Sequence, residues 1–421
     1  MKKLNYSCIL YFLILSVIAG ISSCSKVSDY NGPVVADKTK PDPPTNIRVS
    51  NFEGGAYIIY NIPKSQNTLY IVADYTINDS TGAKRQTKTS YYSDTTVVEG
   101  FAESKEYTIT LKTVTRSNVE SDPVTVKIHP ETPAYLMVAE SLKLESTFGG
   151  VNATARNASG QGITIVYLYN DPAYGKYVIR QQKYFDALDI NYPMRGFDTL
   201  PKQFGAYVTD RWGNKSPVTY ATINPVYEIL LDKSKFSAYS LASDIPTQNN
   251  FPIMKIWDGI VVGSLNNNFW HSQFDPILTP KPVKPYVITF GIGQLVSLSR
   301  FVFYQRNGWD GHYWSDGEAE KFSIWGSASD VPRDAVLPEY APVGTVLGDW
   351  INLGNFDFPA PPSGSPPSSP TQADIQWWSD GVGFELPVNS PKVKFLRFAV
   401  SKTWGGNEVA YITELTLYGG K

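Results

Sequence analysis

From Pro41 onward the chain is a succession of short runs in which apolar and polar residues alternate, each run ending in a cluster of Gly, Pro, Asn, Asp or Ser. A period of two puts successive side chains on opposite faces of an extended backbone, so each run reads as a strand with one buried face. The stretches TNIRVSNF, GAYIIYNIP, TLYIVADYTIN, AKRQTKTSYY, TTVVEGF, KEYTITLKTVTR and DPVTVKIHPETP supply about seven strands, the count of an immunoglobulin-like sandwich. In the sixth, Tyr107, Ile109, Leu111 and Val114 fall on the core side. The same texture continues over 134–226, where GVNATARNASGQGITIVYLYND and KQFGAYVTDRWGNKSPVTYATINP predict a second β-sandwich. Within it VTDRWGNKSP reads as strand, Gly-Asn turn and strand, with Trp212 a packing residue and Asp210, Arg211 and Lys215 on a solvated hairpin. Residues 227–421 carry YVITFGI, VSLSRFVFYQR, EKFSIWGSA, KFLRFAVSK and VAYITELTLYG, strands that suit a jelly-roll sandwich. With 421 residues, 30 Pro and 32 Gly, the whole is expected to be all-β with about three domains.

The first 24 residues stand apart. A basic start (Lys2, Lys3), an apolar run from Ile9 to Ala19 and the ending GISSC make a secretory signal that resembles a bacterial lipobox, with Cys24 the lipidated residue. The two cysteines are Cys8 and Cys24, so the processed chain keeps no thiol but its first residue, which suits a lipid anchor and excludes a disulfide framework. Residues 25–40 are polar, Pro-bearing and aperiodic, and read as a tether. No later segment is long and apolar enough to span a bilayer. A net charge of -2, from 37 basic and 39 acidic residues, argues against a nucleic-acid partner.

Three resemblances follow from the motifs. PDPPTNIRV, the Tyr-x-Ile-x-Leu strand and SNVESDPVTV make residues 41–133 resemble a fibronectin type III domain whose usual core Trp is absent, with Tyr60 in its place. IWDGIVVGSLNNNFWHS, YVITFGIGQLVSLSRFVFYQR, EKFSIWGSASDV and FLRFAVSKTWGGNEVAYITELTLYG, in that order, resemble a discoidin (coagulation factor five/eight type C) domain, the galactose-binding-like fold. The whole arrangement is similar to lipoproteins of Bacteroidetes that accompany starch-utilisation-type glycan import systems. That resemblance implies an outer-membrane, cell-surface protein that binds poly- or oligosaccharide beside a transporter and its capture lipoprotein. Discoidin-like sugar modules also bind a structural calcium, which implies Asp258 and Glu414 as its ligands here; no other cofactor is implied.

Nine of the ten Trp lie after residue 250, so the binding function is assigned to the C-terminal domain. A sugar has apolar C–H faces and polar edges, and its site needs flat rings together with hydrogen-bonding side chains. RNGWDGHYWSDG offers both: Trp309, Tyr313 and Trp314 as stacking faces, and Arg306, Asn307, Asp310 and His312 as polar partners. Trp377 and Trp378 in IQWWSDG, and Trp404 and Asn407 in TWGGN, complete a candidate cleft, whereas Trp257, Trp270, Trp325 and Trp350 are expected in the core. In IQWWSDG read as a strand, one of the paired Trp faces the core. The Pro/Ser run at 358–371 reads as a surface loop. A non-catalytic scaffold or adhesion protein is the alternative. An enzyme would draw on Asp310, Asp316, Glu318 and Glu320, but Glu318 and Glu320 precede a strand and read as solvated, and GxSxG and HExxH are both absent. We therefore expect a non-enzyme.

Overall fold

The computed structural model describes residues 37–64, 67–262, 268–273, 283–307 and 312–420; Cys24, most of the tether, Trp309 and Asp310 lie outside them. The fold is all-β, a series of sandwiches with antiparallel pairing throughout the named strands.

In the first sandwich Thr45–Phe52, Gly55–Asn61 and Thr95–Glu99 form one sheet. Ala83–Ser90, Thr68–Asn78, Tyr107–Thr115 and Val124–Ile128 form the other. The alternation works as read: Tyr107, Ile109, Leu111 and Val114 are all buried. Tyr60 is buried as well, and its hydroxyl meets Thr96 Oγ1 at 2.8 Å, which satisfies the polar end of a core ring.

The second sandwich begins with an element the alternation did not reveal, the helix Ala134–Ser141. AYLMVAES is built of good helix formers behind Pro133, and it buries Ala134, Tyr135 and Val138. Two sheets follow, Asp189–Arg195, Gly150–Arg156 and Lys143–Thr147 in one, and Lys176–Phe185, Ile163–Asp171, Lys202–Thr209 and Thr219–Ile223 in the other. The VTDRWGNKSP hairpin is shorter than expected. Asp210 closes its turn by accepting from the backbone of Trp212 and Asn214, a single bridge joins Thr209 to Lys215, and the strand resumes only at Thr219. Trp212 is a packing residue, but it packs on the first sandwich. A Cβ on Gly100, whose φ is +97°, would lie 3.0 Å from the indole. Around it Arg211 pairs with Glu99 at 2.7 Å, Asn214 donates to the Gly100 carbonyl at 3.0 Å, and the Tyr135 hydroxyl donates to the Ala102 carbonyl at 2.7 Å.

The third unit is organised by the 19-residue strand Tyr286–Tyr304. Its first half pairs with Ser237–Tyr239 and Lys392–Thr403, its second with Val382–Glu385 and Glu414–Gly420. The register breaks between Gly291 and Val296, and there Gly293 takes a φ of +67° with its Cα so near Lys235 that a Cβ would lie 2.4 Å from the Lys235 carbonyl oxygen. Only glycine fits this turn between pairings. Ala319–Ser327 and Trp350–Asp357 extend the sheet beyond Lys392–Thr403. The core is aromatic: Phe322 stacks on Phe398 at 4.7 Å and Phe301 on Phe384 at 5.1 Å. Trp270, Trp325 and Trp350 are fully buried, and Trp257 packs on the core while partly exposed. A buried charge that the sequence did not flag, Arg397, bonds to Asp244, Ser243, Thr289 and the Ala335 carbonyl, with its guanidinium 5.3 Å from the Trp350 ring centre.

Glu228 joins the second and third units. It takes two hydrogen bonds of 3.2 Å from Arg300 and one of 2.6 Å from Ser299 and lies 3.9 Å from Arg195 of the second unit, which also reaches across to Glu385 and, within its own unit, donates to the Phe148 carbonyl.

Candidate functional site

The aromatic loop divides its residues between two tasks. Among its described residues, Trp314 goes inward. Trp314 is 3% exposed and Trp378 is fully buried, with centroids 4.5 Å apart, and neither offers a face to a ligand. Both indole N–H groups are spent on backbone, Trp314 on the Pro359 carbonyl at 2.8 Å and Trp378 on the Arg306 carbonyl at 2.9 Å. The stacking role expected of these two residues is thus corrected: a large ring gains more by filling the sandwich end than by facing water. IQWWSDG is a helix, Gln372–Ser379, rather than a strand. Thr371 caps it, bonding Asp374 N at 3.2 Å while Asp374 Oδ2 takes the Thr371 N–H at 2.8 Å. Trp377, parallel to Trp314 at 6.3 Å, and Tyr313, edge-on to Trp378 at 6.2 Å, are half-buried against the same cluster. The Pro/Ser run carries no strand, and its last residue is the helix cap.

Asp316 borders a pocket on the other side of the loop. Gln248, His271, Asp316, Gly406, Asn407, Glu408, Val409 and Tyr411 enclose about 580 Å³. Four chain segments far apart in sequence meet here. Gly405 N donates to the Asp316 carbonyl at 2.8 Å and Tyr411 N to the Gly317 carbonyl at 3.0 Å, locking the loop to the last hairpin. Trp314 (φ 45°) and Asp316 (φ 50°) are both left-handed, a strained pair held by these contacts.

Asp316 is the hub. It accepts from Arg306 Nη2 at 3.1 Å, from the Tyr411 hydroxyl at 3.0 Å and from the Asn407 amide, and His312 Nδ1 lies 3.8 Å away. Beneath it Arg306, 8% exposed, faces the wholly buried Glu318 at 3.3 Å and lays its guanidinium 4.3 Å from the Tyr411 ring centre. Arg306 N also donates to Glu318 Oε2 at 3.1 Å. Burial pushes the Glu318 carboxyl well above the usual carboxylate range, against the pull of Arg306, and Asp316 adds to the push. The solvated position expected of Glu318 is therefore corrected; Glu320 is paired with Lys402 at 2.6 Å. Burial holds the His271 ring below the usual imidazole range, so it is neutral at pH 7. Its Nδ1 faces the Ser272 carbonyl, which only accepts; Nδ1 therefore carries the proton and Nε2 remains an acceptor.

Of the residues expected to bind, Arg306, His312 and Asn407 come together around Asp316. Asn307 does not join them: it is 3% exposed and donates to the Val261 carbonyl at 3.1 Å, so its expected ligand contact is corrected. Trp404 is half-buried on the core, its backbone N–H on the Glu318 carbonyl at 2.8 Å. His271, Gln248 and Tyr411 were not singled out by sequence. The one available signal was FWHS, where alternation turns Trp270 inward and His271 outward.

The residues implied for calcium do not fit it. Glu414 Oε1 holds the Lys233 ammonium and Oε2 accepts from Gly259 N at 2.9 Å. Asp258 accepts from Ile260 N at 2.9 Å and lies 3.5 Å from the Lys255 ammonium. Calcium takes six to eight oxygens, and among the described residues no three His, Cys, Asp or Glu side chains converge as metal ligands.

Three family models match the chain, each described as a domain of unknown function: DUF4959 over 41–130, DUF5126 over 131–234 and DUF5000 over 257–419. Among solved structures the chain is similar to a SusE-like protein, at 27% identity over 68% of this chain and 99% of that one, with a TM-score of 0.41. It is also similar to the family 32 CBM from C. perfringens NanJ in complex with galactose, at 14% identity over 45% of this chain and 98% of that one (TM-score 0.28). The C-terminal domain of a chitobiase from Bacteroides fragilis is similar at 16% identity, over 45% and 97% of the two chains (TM-score 0.28). No curated protein matches the chain.

Proposed function

We propose that the C-terminal sandwich is a glycan-binding module, and that the chain is a lipid-anchored capture protein of the outer membrane that hands poly- or oligosaccharide to an import system. The observation that carries the reading is the pocket around Asp316. A pyranose presents hydroxyls that must each find a partner. Here a fixed carboxylate, the Asn407 and Gln248 side chains and the neutral His271 ring border one cavity, whose volume lies within the roughly 300–1,000 Å³ of small-ligand sites. The Arg306–Glu318 layer holds Asp316 before any ligand arrives, so little ordering remains to be done on binding. The half-exposed Trp404, next to the Gly-rich turn at 405–406, supplies a ring at the margin. The anchor rests on the lipobox-like GISSC ending at Cys24, and no helix among the described residues is long and apolar enough to cross a membrane. Catalysis is not part of the proposal: the buried Glu318 and the paired Asp316 and Glu320 are already engaged with cations.

The test is affinity electrophoresis against a panel of polysaccharides. The protein is compared with an Asn407→Ala, Gln248→Ala variant, which removes one exposed and one half-buried amide from the pocket wall and leaves the Arg306–Glu318 pair in place. Retardation by one polysaccharide, reduced about tenfold or more in the variant, is expected, since each lost hydrogen bond costs about 1 kcal/mol. Retardation equal in both would place the site elsewhere, and none with any glycan would favour the scaffold reading.

A further inference from the structure

We infer that the Lys233 ammonium is the built-in cation of the C-terminal sandwich, doing with the chain's own charge what a bound divalent ion would otherwise do. Three segments meet at Glu414. The first is the single turn Lys233–Lys235, set by Asp232, whose Oδ1 accepts from Ser234 N at 3.1 Å. The second is the 258–260 loop, whose Gly259 N–H lands on Glu414 Oε2 at 2.9 Å. The third is the start of the closing strand Glu414–Gly420, where the Lys233 ammonium touches Glu414 Oε1 and Thr416 Oγ1, the latter at 3.2 Å. Glu414 has no exposed surface and Lys233 is about a quarter exposed, so the carboxylate is sealed and the ammonium enters from the rim. A buried carboxylate needs a counter-charge, and this one has it covalently attached to the chain.

The neighbouring carboxylate is handled in the same way. Lys255 lies 3.5 Å from Asp258 and donates to Asn268 Oδ1 at 2.8 Å, tying the 258–260 loop to the segment that leads into Trp270. Two lysines thus stand on the two carboxylates that would otherwise share an ion. An ammonium is a compact point charge with three donors, and it closes such a junction without the several oxygens calcium requires. The sandwich should therefore hold its shape, and keep its pocket, in the absence of divalent cations.

The experiment is guanidinium unfolding of the whole protein, followed by tryptophan fluorescence, in EDTA and in millimolar calcium chloride. The protein is compared with Lys233→Ala, which empties the space beside Glu414. The unaltered protein is expected to show the same midpoint in both buffers. Lys233→Ala is expected to shift down by the same amount in EDTA and in calcium, because Asp258 keeps Lys255 beside it and Glu414 alone offers too few oxygens to hold an ion. A rise in the unaltered protein's midpoint with calcium would overturn the inference, as would a Lys233→Ala variant whose midpoint does not shift down. If Lys233→Ala does not fold in EDTA, the comparison of the unaltered protein in the two buffers decides alone, and Lys233→Arg, which keeps the charge, is expected to match it.

Discussion

Replacing Arg306 by methionine tests whether the charged layer beneath the pocket is held by that one cation. Methionine keeps most of the apolar stem, so the change isolates the guanidinium. Four partners lose it: Asp316 at 3.1 Å, the buried Glu318 at 3.3 Å, the Tyr411 ring at 4.3 Å and the Phe269 ring at 5.4 Å. Removing one member of a buried pair costs about 3–5 kcal/mol, because the other charge is left uncompensated; the ring contacts add on the order of 0.5–1 kcal/mol. We expect a loss of about 3–5 kcal/mol at pH 8. The sign of the pH dependence follows from Glu318, whose folded-state carboxyl is already pushed above its usual range by burial. Without Arg306 it rises further, so the folded variant takes up a proton that the unfolded chain does not bind until near pH 4.5. The penalty must shrink as pH falls toward 5. Guanidinium unfolding followed by tryptophan fluorescence reads this out, since nine of the ten Trp lie beyond residue 250. A cost below about 1 kcal/mol, or the same cost at pH 5 and pH 8, would refute the account of Glu318 as a buried charge held by Arg306.

Other expectations bear on separate parts of the molecule. Arg397→Met strands Asp244 and should cost about 3–5 kcal/mol in the same assay. Thr371→Ala removes the cap of the helix carrying Trp377 and Trp378 and should cost about 1 kcal/mol. Gly405→Ala would set a Cβ 2.4 Å from the Asp316 backbone nitrogen; it should part the loop from the last hairpin and weaken glycan retardation, while circular dichroism stays unchanged. Burial pushes Glu414 up to about 7 from 4.5. The fold therefore binds a proton in that window that the unfolded chain releases, and stability should fall by on the order of 3 kcal/mol as pH rises from 4.5 through 7; a flat midpoint over that range would contradict it.

How much of this was legible depends on range. Strand alternation is local, so Tyr107, Ile109 and Leu111 could be turned inward by inspection. The helix Ala134–Ser141 was missed because AYLMVAES is apolar without a period of two, and its neighbours set the expectation. The rings of the 306–320 loop were visible but their direction was not. Trp314 is buried by Trp378 and by Pro359, residues 64 and 45 positions away, and no local pattern announces such partners. The pocket is more distant still. His271 meets Tyr411 at 4.5 Å across 140 residues, and neither stands in a stretch rich in charge. Arg306 and Asn407 could be offered because they are polar side chains in loops that also carry rings, RNGWDGHYWSDG and TWGGN. The role of Asp316 as their common partner needed the fold.

The register of the central strand has a mechanical consequence. Tyr304, which leads into Arg306, pairs with Glu414, while Ser297 and Leu298 pair with Gly420 and Gly419 at the other end of the same two strands. That far end is where Ile229 pairs with Gly419 and where Glu228 grips Ser299 and Arg300. If the pocket holds a polymer as proposed, a pull on that polymer would run along these strands, and the load would leave about 20 Å away, at roughly 3.4 Å per residue. Antiparallel hydrogen bonds lie across that direction, so they are strained in shear and must yield together instead of opening one by one. The pocket and the rest of the chain are attached to opposite ends of the same ladder, which is the arrangement that best resists a sustained pull.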